Sequence, residues 1–195
     1  MFEDRWNRDI RIYPSDRLFA ATFGRLFPVW IQPNQVTVFR MFLIPFVVLT
    51  LAANNFAVSI PLFLLAALSD WFDGSLARTR KKVTAWGIIY DPIADKLLIG
   101  SVLVVIVLSR MNFVLGLVLI GVEAFIIVVG WIRVLQGKIE PANIWGKIKM
   151  VSEVIGIMLL LIAVWLNVNM LVRLSTGTLA LAVVFAIVSI LTRIK

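Results

Sequence analysis

Apolar residues run along this chain in stretches of about 20, the length an α-helix needs to cross a bilayer core. Six such stretches are read, at roughly 36–58, 59–78, 88–109, 112–134, 148–170 and 174–193. The second and third are interrupted by aspartates. The pattern predicts an all-α polytopic membrane protein with six transmembrane helices. A different pattern precedes them: Leu18, Phe19, Phe23, Leu26 and Phe27 fall on one helical face, interrupted only by Thr22, with Ser15 available as a cap and Arg17 and Arg25 available to phosphates. Such a helix lies amphipathically in the headgroup plane, or packs on the bundle. Pro28 and Pro33 then break the chain. Residues 1–33 are therefore expected to form an N-terminal interfacial amphipathic segment, and 34–195 a six-helix transmembrane domain. The opening MFEDRWNRDIRIYPSDR is too acidic and too weakly apolar for a signal peptide and is read as mature sequence.

Composition sharpens this reading. The 195 residues are 61% hydrophobic and 15% charged, with a mean hydropathy of +0.99, outside the range of soluble globular domains. There is no cysteine and no histidine, which excludes disulfides, thiol nucleophiles, imidazole bases and the commonest metal ligands. Any catalysis must rest on carboxylates, amines or hydroxyls. The net charge of +8 is scattered between apolar spans and covers no single soluble face, so anionic lipids and phosphorylated substrates suit it and nucleic acid does not. Arg78, Arg80, Lys81 and Lys82 join spans two and three; Arg133, Lys138, Lys147 and Lys149 join spans four and five; Arg193 and Lys195 close the chain. The opposite loops carry only Arg110 and Arg173. By the positive-inside rule, both termini face the cytoplasm, in a multi-pass inner (cytoplasmic) membrane protein.

The chemistry is concentrated in SDWFDGSLARTRKKVTAWGIIYDPIADK. Asp70, Asp73, Gly74, Ala77 and Arg78 share one helical face, and Gly87, Asp91 and Asp95 recur every four residues on the next span. A single charge at membrane depth costs roughly 2.5–3.5 kcal/mol, so four facing carboxylates require a cation among them. Oxygen ligands without His or Cys favour Mg²⁺, Mn²⁺ or Ca²⁺. Two ions about 3.5–4 Å apart, as in two-metal phosphoryl transfer, would suit four acids. Asp70 precedes Arg78 by about 12 Å of helix, which keeps the acids near the cytoplasmic face. Gly74, Ala77 and Gly87 admit either a flat ligand or tight helix packing. Arg78 and the basic loop through Lys82 can meet a pyrophosphate.

The pattern DxxDGxxAR, eight residues, then GxxxDxxxD resembles the signature of the CDP-alcohol phosphotransferase family without a mismatch. Members displace CMP from a CDP-linked lipid by attack of an alcohol on the lipid-side phosphorus. The resemblance extends to the six spans and the interfacial helix, and implies a homodimer. It implies that Asp70, Asp73 and Asp91 ligate Mg²⁺ or Mn²⁺, with Asp95 close to them and the general base. Gly74, Ala77, Arg78 and Gly87 would line the cytidine diphosphate site. PNQVTVFR looks like the start of the family's first span, which makes Asn34, Thr37 and Arg40 candidates for nucleotide or phosphate contact, or equally for capping and snorkelling.

Within the family, DPIADKLL and ANIWGKIK look most like the phosphatidylglycerophosphate synthases, which join CDP-diacylglycerol to glycerol 3-phosphate. Lys147 and Lys149, with Arg133, would meet the acceptor's phosphate. Met150 stands where those enzymes usually carry threonine, and Val122 and Gly130 where arginines are common, around the retained Glu123. An inositol phosphate or phosphatidylglycerol is the alternative acceptor. Glu123 and Glu153, both inside predicted spans, call for paired partners, most simply across spans four and five. An ion- or proton-coupled transporter is the competing class, but it predicts acids reaching toward both membrane faces. A catalytically dead scaffold predicts loss of an aspartate, and all four are present.

Overall fold

The computed structural model describes residues 14–22, 28, 31–109, 113–135 and 144–194. Among them are seven helices: α1 Pro14–Thr22, α2 Pro33–Ala52, α3 Phe56–Thr79, α4 Ala85–Ser109, α5 Phe113–Leu135, α6 Ile144–Leu166 and α7 Asn169–Ile194. The all-helical expectation holds. The described helices Pro33–Ala52, Phe56–Thr79, Ile144–Leu166 and Asn169–Thr192 are long and apolar enough to cross a membrane, and α5 holds a shorter apolar stretch, Gly116–Val129. The chain is thus a multi-pass membrane protein, with four such spans among the described residues; the sequence expectation of six counts α4 and α5 as well.

Three helices stop in the same way. Asn54, Lys81 and Asn167 have φ near +55°, in the left-handed region. Around each, the N–H of the next residue bonds back five positions (Asn55 to Thr50, Lys82 to Ala77, Val168 to Ala163), and the residue itself bonds back three. This is the Schellman closure, which satisfies the last carbonyls of a helix. Asparagine tolerates the conformation; lysine carries it at a cost. These stops correct two sequence boundaries. The first span was expected to run to 58 and the fifth to 170, because apolar neighbours keep hydropathy high across the breaks at Asn54 and Asn167.

Burial follows a helical stripe. On α2, Val36, Thr37, Arg40, Leu43, Ile44 and Val47 are buried, while Phe42 is 63% and Leu49 65% exposed. Large apolar side chains facing outward on a helix that is apolar all round are what a lipid-facing surface requires.

The chain divides into two compact units. In the first, containing the described residues up to Val47 together with Leu62–Leu98, Phe19 of α1 packs on Val36 and Leu76, flanked by Ile31, Trp71 and Phe72. Its ring meets Trp71 edge-on at 5.7 Å and Phe72 at 5.6 Å. The amphipathic helix is therefore docked on the bundle through Phe19. It starts at Pro14, a residue suited to a first helical position, so Ser15 lies inside the first turn and is not its cap. Phe23, Leu26 and Phe27 lie outside the described residues, as do the side chains of Arg17 and Leu18 and the positions Arg110 and Lys138.

The second unit comprises Val48–Pro61 and residues from Ile99 onward. Here α6 and α7 pack closely through Gly156, where an added Cβ would stand 2.8 Å from Leu179 Cγ. Small residues at such crossings let backbones approach, the usual driving geometry in membrane bundles.

Candidate active site

The first unit holds all four aspartates of the signature. Its framework starts with two helix caps. The Gln32 N–H donates to Gln35 Oε1 at 2.9 Å and Pro33 opens α2, so the chain turns into the helix with its first donors satisfied or absent. At α4, Thr84 Oγ1 accepts the Gly87 N–H at 3.0 Å and donates to Asn34 Oδ1 at 2.8 Å. That pair of bonds ties the start of α4 to the start of α2.

Between these starts and α3, the acids converge. The Thr37 hydroxyl lies 2.8 Å from Asp91 Oδ1, 3.0 Å from Asp73 Oδ2 and 3.5 Å from the Pro33 carbonyl. Arg40, with no exposed surface, pairs through Nη1 with Asp70 and through Nη2 with Asp73 at 3.2 Å. Asp95 lies within the electrostatic reach of Arg40, and Asp91 within that of Arg40 and Asp70. Lys96 stands 3.9 Å from Asp95. Asp73 and Asp95 are buried, while Asp70 keeps about a third of its side chain exposed, at 31%.

This donor set is short of positive charge. Among the described ion pairs, one guanidinium and one ammonium at 3.9 Å face the four carboxylates, and the Thr37 hydroxyl has a single proton for two carboxylate oxygens. A hard divalent cation suits that deficit and those oxygen donors. The acids do not form a ready-made cage, however: among the described residues no three stand close enough together to hold one ion. Arg40 pairs with two of them, and among the described residues its buried Nε has no acceptor.

Of the small residues, Gly87 lies against this cluster and Gly74 beneath Arg78. A Cβ on Gly87 would stand 3.3 Å from Thr84 Oγ1 and 3.4 Å from both Asn34 Oδ1 and Asp91 Oδ2. A Cβ on Gly74 would stand 3.1 Å from Arg78 Nη1. Ala77 is half-buried on the same face. Beside Asn34 and Thr84 opens a cavity of about 280 Å³, lined also by Gln32, Pro33 and the 81–83 segment. Lys81 and Lys82 are exposed at its edge. The basic loop is not uniform, because Arg80 donates to the carbonyls of Pro28 at 3.2 Å and Ile31 at 2.7 Å, fastening the approach to α2.

The residues expected to meet the acceptor sit in the second unit. Lys149 is buried between Glu123 and Glu153, 2.7 Å from the latter. That is the pairing across spans four and five that the sequence called for, and it commits Lys149 to two carboxylates. Lys147 is exposed, and Arg133 belongs to α5 with its side chain outside the described residues. The sequence offered Thr37 and Arg40 as candidates for nucleotide or phosphate contact, or for capping and snorkelling, whereas both contact the acids directly. Their i, i+3 spacing with Asn34 was the available signal. Asp16 was missed entirely, although its i, i+3 relation to Phe19 puts it on the docked face.

Comparison with known proteins identifies the family. The profile of the CDP-alcohol phosphatidyltransferase family matches residues 30–192. A protein of Bacillus subtilis strain 168 named CDP-diacylglycerol–glycerol-3-phosphate 3-phosphatidyltransferase is 34% identical over 150 residues, covering 67% of this chain and 76% of its own length. A Haemophilus influenzae protein of the same name is 32% identical over 134 residues, 64% of this chain and 72% of the relative. One from Rickettsia felis is 43% identical over 77 residues, 38% of this chain, and the match spans only 42% of that relative's length. The match over most of the chain and the four converging aspartates lead to one assignment: this protein belongs to the CDP-alcohol phosphatidyltransferase family.

Proposed function

We propose that the chain transfers the phosphatidyl group of CDP-diacylglycerol to glycerol 3-phosphate and releases CMP, a step of phospholipid biosynthesis. The observation that carries this reading is the convergence of Asp70, Asp73, Asp91 and Asp95 on Thr37 and Arg40, beside a cavity edged by Asn34, Lys81 and Lys82. The relatives' shared name supports the donor and the acceptor.

In the reaction, an acceptor hydroxyl oxygen forms a bond to the lipid-side phosphorus while the bond from that phosphorus to the pyrophosphate oxygen breaks. CMP departs with the electron pair, and the hydroxyl proton passes to Asp95. The family generally depends on divalent metal. Two Mg²⁺ or Mn²⁺ ions held by Asp70, Asp73 and Asp91, with Asp95 close by, would neutralise the pyrophosphate and the charge on the leaving CMP. Thr37 and Arg40 hold the carboxylates at a common centre. Gly74, Ala77, Arg78, Gly87 and Asn34 leave room for and line the nucleotide, and Lys81 and Lys82 draw its phosphates to the cavity. Lys147 and Arg133 are the proposed acceptor contacts. The basic loops support a site on the cytoplasmic side; the membrane proposed is the inner one, with residues 1–33 working at its interface and a homodimer as the active form.

The test is CMP release from CDP-diacylglycerol by protein purified in mild detergent, with Mg²⁺ or Mn²⁺ and each acceptor in turn. Release that needs glycerol 3-phosphate and falls by roughly 10²-fold or more in Asp95→Asn is expected. Release with inositol phosphate or phosphatidylglycerol instead overturns the acceptor. Absence of both metal and CDP-diacylglycerol binding overturns the reaction and favours transport.

A further inference from the structure

Asp16 has no exposed surface although it is a carboxylate on a nine-residue helix that precedes the first span. Both its oxygens are engaged. Arg78 Nε donates to Oδ2 at 2.9 Å and Arg78 Nη2 to Oδ1 at 2.8 Å, a side-on bidentate fork. The Ser75 hydroxyl adds a third bond to Oδ1 at 3.0 Å. Ser75 and Arg78 are one turn apart on α3, so one carboxylate grips one face of that helix. The gripped guanidinium lies over Gly74, its Nη1 3.1 Å from where a Cβ would be. Asp73, which Arg40 and Thr37 hold, is the residue just before Gly74.

We infer that Asp16 is a positioning residue: it orients Arg78 toward the nucleotide-bearing substrate and so makes the docked N-terminal helix part of the active site. The inference rests on the proposed reading of Arg78 as a contact of the CDP group. A long arginine side chain at the end of α3 has many rotamers to lose on binding. The bidentate carboxylate removes most of that freedom before substrate arrives, which is the ordinary benefit of preorganisation. The carboxylate also balances the guanidinium charge, so this clamp adds nothing to the net charge of the site. Docking and clamping use different side chains: Phe19 packs on Val36, Trp71, Phe72 and Leu76, while Asp16 holds Arg78 and Ser75.

The separation defines the experiment. KM for CDP-diacylglycerol, KM for the acceptor, kcat and the thermal midpoint are measured on full-length wild type, Asp16→Asn, Asp16→Glu, Phe19→Ala, Arg78→Ala and the Asp16→Asn/Arg78→Ala double variant. Asp16→Asn keeps the shape and the Ser75 bond but loses the ion pair. Its KM for CDP-diacylglycerol is expected to rise about tenfold, with the acceptor KM unchanged. Asp16→Glu, which keeps the charge, recovers part of the loss. In the Arg78→Ala background the Asp16 change adds nothing. Phe19→Ala lowers the thermal midpoint without the donor-specific KM rise. An unchanged KM in Asp16→Asn, or the same KM pattern in Phe19→Ala, overturns the inference while leaving the proposed reaction standing. Wild type that releases no CMP overturns the reaction and this inference with it.

Discussion

Replacing Thr37 by valine removes one oxygen and nearly preserves shape, so it isolates the hydroxyl that stands between Asp73 and Asp91. That oxygen is 2.8 Å from Asp91 Oδ1 and 3.0 Å from Asp73 Oδ2, and Thr37 is 1% exposed. Water has no ready access to substitute for it. A hydrogen bond to a charged group is worth about 1.5–3 kcal/mol, and only one proton is available, so one such bond is lost. The two carboxylates come from different helices, and the hydroxyl is what fixes their separation. Losing that tie should weaken divalent ion binding by roughly 10- to 100-fold, since about 1.4 kcal/mol is a factor of ten.

The assay is titration of Mn²⁺ into detergent-purified protein, followed by spin-resonance detection of the free ion. CMP release is then measured across the same concentrations. Thr37→Val should shift both curves to higher metal and recover most of the rate at saturation. Thr37→Ser, which keeps the hydroxyl, should stay close to wild type. If the valine variant binds Mn²⁺ as wild type does, the Thr37 hydroxyl does not organise the acids, and something other than α2 sets their separation.

Gly87→Ala places a methyl group 3.3 Å from the capping Thr84 oxygen and 3.4 Å from Asn34 and Asp91; none of the three can withdraw without loosening a bond of the site, so KM for CDP-diacylglycerol should rise by about tenfold, read from steady-state CMP release. Gly156→Ala drives a Cβ to 2.8 Å from Leu179 Cγ and Cδ2, an overpacking expected to lower stability by about 1–3 kcal/mol. Thermal unfolding in detergent would register it, with partial recovery in the Gly156→Ala/Leu179→Ala pair. Lys149→Met leaves Glu123 and Glu153 buried without their shared ammonium; a loss of about 3–5 kcal/mol is expected, and adding Glu123→Gln and Glu153→Gln should restore much of it.

The parts legible in the sequence were those with a period. Apolar runs located the long helices, and the i, i+3 and i+4 spacing of Asp70, Asp73, Asp91 and Asp95 put the acids on facing stripes. Helix ends were less legible, because Asn54 and Asn167 stop their helices through backbone geometry while their apolar neighbours continue the hydropathy signal. Contacts between helices distant in the chain left almost no trace. Nothing about Arg40 alone distinguishes a snorkelling arginine from one paired with Asp70 and Asp73. The acid on α1 that clamps Arg78 lies 62 residues away in sequence. For Lys149 the sequence offered a phosphate, whereas Glu123 and Glu153 already take its charge.

The register of α2 against its neighbours explains why the acids need that helix. Going from Thr37 to Arg40, the contacts on α3 pass from Asp73 to Asp73 and Asp70, running backwards as an antiparallel neighbour must. On α4 the order is forward, from Asp91 at Thr37 to Asp95 in the field of Arg40, as for a parallel neighbour. Residues three apart are separated by about 4.5 Å of helix rise, the same step on α2 as between Asp70 and Asp73. Two polar side chains on one helix can therefore address two rows of carboxylates at once. An extra residue between Thr37 and Arg40 would rotate one of them by about 100° and break its bonds to the acids. The aspartates name the chemistry, but α2 sets the spacing at which four of them can share one place in a membrane.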